Sequence, residues 1–134
     1  MLLAAEVAPQ EGIIDNVFVS PVVHRSTGVV VLVAMLAATG YLVWLAARRR
    51  PLDLTGRLLV VGAEIALIVQ ALLGIKLLDQ GLGVAQLYIH YVGGLLPLGA
   101  FLAASWVAWR SDTTHARALA VLASIGLVSA AMAF

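Results

Sequence analysis

Two histidines, His24 and His90, are the side chains of this sequence best suited to chemistry, because both lie at the edge of long apolar stretches. A neutral imidazole offers a nitrogen lone pair to a metal ion, and two imidazoles supply the axial ligands that a haem iron needs. Arg25 adds a guanidinium beside His24, and Lys76 adds an ammonium near the end of another apolar stretch. Ionisable groups in membrane-length apolar segments are costly, so each is a functional-site hypothesis.

The composition indicates the class of protein that carries these groups. Of the 134 residues, 63% are hydrophobic and 11% are charged, whereas a soluble domain has roughly 25% charged residues. So little charge cannot cover a water-exposed surface, which excludes a soluble globular enzyme, a disordered tail and a nucleic-acid-binding protein. The sequence has no cysteine, which excludes disulfides, thiolate metal sites and covalently attached c-type haem. We therefore predict an integral membrane protein that has the lipid bilayer as a partner.

Four apolar stretches are long enough to cross the roughly 30 Å hydrocarbon core of a bilayer. Three short connections, which contain helix-stop and helix-start residues, separate them. Connections this short make consecutive helices antiparallel, so the sequence predicts an all-α, integral membrane up-down four-helix bundle. The stretches run from Val22 to Ala47, from Leu58 to Leu78, from Leu87 to Trp109 and from Ala118 to Phe134.

The basic residues predict the orientation of this bundle. Six of the eight lie in or beside the first and third connections, which the positive-inside rule places in the cytoplasm. We therefore predict a multi-pass protein of the cytoplasmic (inner) membrane with both termini outside. Residues 1–20, which carry no basic residue, are predicted to form an extracytoplasmic or interfacial segment, and residues 21–134 to form the bundle.

His24 and His90 are predicted to lie at the same depth on opposing helices. Each is two or three residues into its apolar stretch, and the first and third helices of an up-down bundle run in the same direction. Both histidines therefore lie within roughly 5 Å of the outer ends of their helices. Gly28 and Gly94 follow one turn below, so each imidazole faces a residue without a side chain. We predict that His24 and His90 ligate one haem iron and that the two glycines make room for the porphyrin.

Each of these residues has an alternative interpretation. A histidine in a membrane helix also serves as an interhelical hydrogen-bonding or interfacial residue, and glycines also allow helices to pack closely. Arg25 and Lys76 are predicted to bind haem propionates at the outer end, or else extend to lipid head groups. Tyr91 is a candidate contact for the haem ring or a propionate, and its alternative is an interfacial aromatic belt.

The order of these motifs resembles one four-helix half of the haem A synthase family. His24-Arg25 opens a helix, Gln70-Ala71-Leu72-Leu73-Gly74 lies in the next and His90 lies in the third, so the resemblance covers roughly residues 22–109. It implies that His24 and His90 are haem ligands. The family's catalytic half has a glutamate just before its His-Arg pair, but here the stretch reads Val19-Ser20-Pro21-Val22-Val23. The family's outer-loop cysteine pair is absent too. The resemblance is therefore to the non-catalytic half, which implies one haem b per chain.

These inferences predict a membrane b-type cytochrome-like subunit that binds one haem near the outer face. Its role would be electron transfer, or that of a haem-bearing structural subunit of a respiratory or photosynthetic membrane complex. No catalytic residue is assigned. Two alternatives stay open, namely a haem-free accessory transmembrane subunit of such a complex and a half-size haem A synthase-like enzyme. The expected protein partner is a larger membrane complex or further copies of the chain, and no nucleic acid is expected.

Overall fold

The structure, a computed structural model, describes residues 17–82, 87–108 and 113–133. These residues form four helices and contain no strand, which confirms the predicted all-α class. Residues 1–16 of the predicted N-terminal segment lie outside the described residues. So do residues 110–112 of the predicted third connection, which runs from Arg110 to Thr114. The helices are α1 (Pro21–Ala47), α2 (Leu54–Asp79), α3 (Leu87–Ala108) and α4 (Thr113–Ala133).

The four helices form a ring in which each helix packs against two neighbours. Both α1 and α3 pack against α2 and α4, so within the described residues α1 and α3 lie diagonally opposite each other. A hydrogen bond from the Val19 backbone to the Gln80 side chain joins the start of α1 to the end of α2. A second bond, from Tyr41 to Asp53, joins the opposite ends of these two helices. Helices α1 and α2 are therefore antiparallel.

Helices α2 and α4 begin four and five residues before the apolar stretches that predict them. The Asp53 carboxylate accepts a hydrogen bond from the Gly56 backbone N–H (2.8 Å) and so caps the first turn of α2. Helix α4 likewise begins in a polar run, at Thr113. The predicted starts are wrong because hydropathy marks only the apolar part of a helix, whereas polar capping residues determine where it begins.

The apolar core occupies the part of the bundle where α1 ends and α2 begins. Buried residues of α1 recur every three or four positions from Val31 to Leu45, which gives one helical face directed inward. Phe101 of α3 and Met35 of α1 are fully buried in this core. Gly126 of α4 leaves space for them, because a Cβ atom there would lie 3.2 Å from the Phe101 ring. Towards the start of α1 the packed core gives way to a cavity.

The outside of the bundle is covered by apolar side chains. Leu58 of α2 is 63% exposed and Trp106 of α3 is 71% exposed, and many other aliphatic side chains are similarly exposed. Helices α1 and α2 are each long and apolar enough to cross a membrane, by length and composition. An exposed apolar surface of this extent indicates contact with lipid or with another protein.

Candidate functional site

A cavity of about 440 Å³ lies at the end of the bundle where α1 and α3 begin and α2 ends. Its volume is within the range of roughly 300–1,000 Å³ that is typical of small-molecule and cofactor sites. Most of its lining is aliphatic. The polar side chains that line it are His24, Arg25, Gln70, His90 and Tyr91. An apolar cavity with a few convergent polar groups is typical of a ligand-binding site.

The imidazole rings of His24 and His90 lie close together in this cavity. Their centroids are 6.0 Å apart and their planes are inclined by 60°. A ligating imidazole nitrogen lies about 2.0 Å from its metal and about 1.1 Å from its own ring centre, so two imidazoles on opposite sides of one metal have centres about 6.2 Å apart. The centroid separation of His24 and His90 is close to that value.

The ring of His24 rests against α2. Its Nε2 atom lies 3.3 Å from the side-chain amide nitrogen of Gln70. Gly74, one turn further along α2, leaves space for the ring, since a Cβ atom there would lie 3.3 Å from the Cε1 atom of His24. The Nδ1 atom of His24 is buried and has no hydrogen-bond partner among the described residues. An unpaired buried polar atom is uncommon in folded proteins and calls for a bound water, ion or ligand as its explanation.

The structure brings together six of the seven residues predicted for cofactor binding. The space around Gly94 is open, with no atom within 4 Å of the position that a Cβ atom would take. The ring of Tyr91 lies edge-on to that of His90, with 6.0 Å between the centroids. The six residues that line the cavity are His24, Arg25, Gly28, His90, Tyr91 and Gly94.

Lys76 is the predicted site residue that does not line the cavity within the described part of the chain. Its ammonium group lies 2.6 Å from the carboxylate of Asp79, three positions along α2. Residues three apart share one face of a helix, which brings the Asp79 carboxylate within reach of Lys76. The structure thus gives the ammonium a partner on its own helix.

Three further cavity residues carry signals in the sequence that the prediction of the site did not use. Gln70 and Gly74 are four residues apart, which places both on the face of α2 that meets His24. Pro97 follows His90 by seven residues, or about two turns, and so lies on the same face of α3. Proline has no backbone N–H and cannot make the helical hydrogen bond to the preceding turn. Helix α3 therefore lacks one backbone hydrogen bond beside the cavity.

The assignment of this site rests on the arrangement of its own residues, because no match to a known protein supports it. Comparisons of the chain with protein-family models, with curated proteins and with solved structures find no match. Among the described residues, no three histidine, aspartate or glutamate side chains come together as a group able to hold a metal ion. A haem iron takes only its two axial ligands from protein side chains. The pair His24 and His90 is therefore a sufficient donor set for a haem, although it is a sparse one for a bare metal ion.

Proposed function

We propose that the chain is a membrane b-type cytochrome-like subunit that binds one haem b through His24 and His90. The observation that carries this proposal is the pair of imidazoles 6.0 Å apart on diagonally opposite helices, in a cavity of about 440 Å³. The proposal includes kinship with the b-type half of haem A synthase, which the order and spacing of His24, Gln70, Gly74 and His90 support.

The chain's own residues would each have a distinct part in holding the haem. His24 and His90 would supply the two nitrogen ligands of the iron. Gly28 and Gly94 support the proposal because they line the cavity without side chains that would fill it. Arg25 lines the same cavity and is itself exposed, which suits a guanidinium that pairs with a propionate carboxylate at the surface. Tyr91, at the edge of the His90 ring, would help to fix the orientation of that ligand.

The proposed location is the cytoplasmic membrane, with both termini outside and the haem near the outer face. The apolar exterior and the two membrane-length helices support insertion into a bilayer. The basic residues of the first connection, Arg48, Arg49 and Arg50, are exposed at the end of the bundle opposite the cavity. The positive-inside rule assigns that end to the cytoplasm, and hence the cavity to the outer side.

The proposed role is electron transfer, or structural support of a membrane complex by a haem-bearing subunit. Haem iron supplies one-electron chemistry, and a protein that fills both axial positions favours electron transfer over oxygen activation. The residues just before His24 favour a role without haem oxidation, because neither Ser20 nor Pro21 can act as a carboxylate. His24 and His90 would remain the two protein ligands of the haem throughout one-electron transfer. The aliphatic side chains that line the cavity would keep water away from the haem.

Replacement of the two ligands tests this proposal. His24→Ala and His90→Ala should each abolish the low-spin, six-coordinate absorption spectrum, and His24→Gly should recover it when free imidazole is added. His115→Ala is the matched control, because position 115 is in the first turns of α4, at the end of the bundle opposite the cavity. Circular dichroism checks that each variant remains helical. Wild-type spectra in both alanine variants would overturn the assignment.

A further inference from the structure

The connection between α1 and α2 contains a run of exposed arginines, which we call the arginine turn. It lies at the end of the bundle opposite the cavity, and its residues are Arg48, Arg49 and Arg50. Within the described part of the chain, no carboxylate forms an ion pair with these guanidinium groups. The one acidic residue of the connection, Asp53, accepts hydrogen bonds from the Tyr41 hydroxyl and from the Gly56 N–H. The donors of the arginine turn are therefore available to an anion from outside the chain.

Arg49 has a backbone conformation that favours glycine. Its φ angle is 52°, in the left-handed region, where the Cβ atom of an L-residue crowds its own backbone. Arg48 is the C-cap of α1, and the Arg50 N–H donates a hydrogen bond to the Leu45 carbonyl (2.9 Å), which makes Arg49 the residue of a Schellman motif that is usually glycine. An arginine kept there at a steric cost indicates a use for its guanidinium. Charge at the helix end does not explain it, because Arg48 and Arg50 already supply the cations that the dipole of α1 favours.

The length of α1 places the arginine turn at the level of the phosphates of a bilayer. Its 27 residues span about 40 Å, which matches the roughly 40–45 Å of a bilayer with its headgroup regions. Trp44, one turn before the end of α1, is 42% exposed, as is typical of tryptophans at the membrane interface. The guanidinium of Arg50 lies 5.7 Å from the centre of the Trp44 ring, and this cation–π contact holds it at that level.

We propose that the arginine turn binds the phosphate of an anionic phospholipid headgroup. Guanidinium groups bind phosphate oxygens through paired N–H donors. The three positive charges of the turn exceed the single negative charge of Asp53, so a lipid with a net negative charge is favoured over a zwitterionic one. This site goes beyond the proposed function, because it needs only the insertion of α1 in a bilayer and not the binding of haem.

Native mass spectrometry of the detergent-purified protein tests the proposal, because it counts the lipids that stay bound. The probes are dimyristoyl phosphatidylglycerol, which is anionic, and dimyristoyl phosphatidylcholine, which has the same acyl chains but is zwitterionic. The wild-type protein should bind phosphatidylglycerol at least about fivefold more tightly than phosphatidylcholine. Equal affinity for the two lipids would overturn the proposal.

Arg49→Gly separates lipid binding from the stability of the fold. Glycine adopts the left-handed conformation without steric cost, so this variant should be at least as stable as the wild type in denaturant unfolding. It should bind phosphatidylglycerol about fivefold more weakly, since one basic residue near an anionic membrane surface contributes about 1 kcal/mol. An unchanged affinity for phosphatidylglycerol would show that Arg49 does not bind the headgroup and would overturn the proposal.

Arg117→Gln is the matched control. Arg117 is an exposed arginine just after the first turn of α4, at the same end of the bundle, so this variant loses the same charge outside the arginine turn. It should bind phosphatidylglycerol as tightly as the wild type. An equal loss of affinity in Arg117→Gln and Arg49→Gly would overturn the site, because net charge alone would then explain the binding.

Inorganic phosphate, added in excess, distinguishes a lipid from a free anion. It should not displace phosphatidylglycerol from the wild-type protein, because the acyl chains of the lipid also contact the apolar exterior of the bundle. Displacement by phosphate would overturn the assignment to a lipid and indicate a site for the free anion.

Discussion

Replacement of Gly74 by alanine adds one methyl group against the ring of His24. The new Cβ atom would lie 3.3 Å from Cε1 and 4.0 Å from Nε2 of His24. The first distance is a few tenths of an ångström too short for comfortable contact, so the ring must move away from α2. His24 lines the cavity, which gives the ring room to move.

The displacement should affect the site more than the stability of the fold. His24 is a proposed haem ligand, and a ligand must stay within about 0.5 Å of its productive position. A shift of the ring by a few tenths of an ångström therefore uses much of that tolerance. Alanine is also about 1 kcal/mol better than glycine inside a helix, which offsets the strain.

Gly62→Ala on the same helix is the control, because no atom lies within 4 Å of its added Cβ. We expect the two variants to differ in free energy of unfolding by no more than about 1 kcal/mol, and Gly74→Ala to bind haem at least about tenfold more weakly than Gly62→Ala. Denaturant unfolding and haem titration in detergent measure the two quantities. Equal haem affinity of the two variants would refute the reasoning.

Three further predictions concern the bundle as a whole. The bond from the Gly56 N–H holds the pKa of Asp53 below its ordinary value, so Asp53 should contribute stability above about pH 4 and lose it as the pH falls through its folded-state pKa. Asp53→Ala should cost about 1 kcal/mol in denaturant unfolding at neutral pH, and Asp53→Asn should remove the acid-dependent loss. Phe101→Ala, in the packed core, should cost roughly 3–5 kcal/mol by the same assay, whereas Leu102→Ala on the exposed side of α3 should change stability little. Labelling of Asp53→Cys should occur only from the cytoplasm and that of Gln10→Cys only from outside, and the reverse pattern would contradict the proposed orientation.

The helices and the common level of the two histidines within the bundle are predictable from the sequence because both depend on position along the chain. Apolar length indicates the helices, and the rise of a helix converts the positions of His24 and His90 into a common level. The structure accordingly has four helices and brings the two rings together. Gly28 and Gly94 are predictable for the same reason, since one helical turn separates each from its histidine.

The contacts between helices are not predictable in this way, because they depend on how each helix is rotated about its own axis. Nothing in the spacing of Gln70 and His24 indicates that the amide of one meets the ring of the other. Lys76 illustrates a second limit, since it lies in the last turn of α2 but forms an ion pair with Asp79 on the same helix. Several neighbouring groups compete to pair with each side chain, and the sequence alone does not show which of them is closest.

The absorption spectrum of the purified protein, recorded oxidised and then reduced, tests the central claim most directly. Two imidazoles that ligate one iron predict a low-spin, six-coordinate b-type spectrum, with one haem per chain and sharp bands on reduction. A colourless protein that takes up no added haem would contradict the account, and so would a high-spin, five-coordinate spectrum.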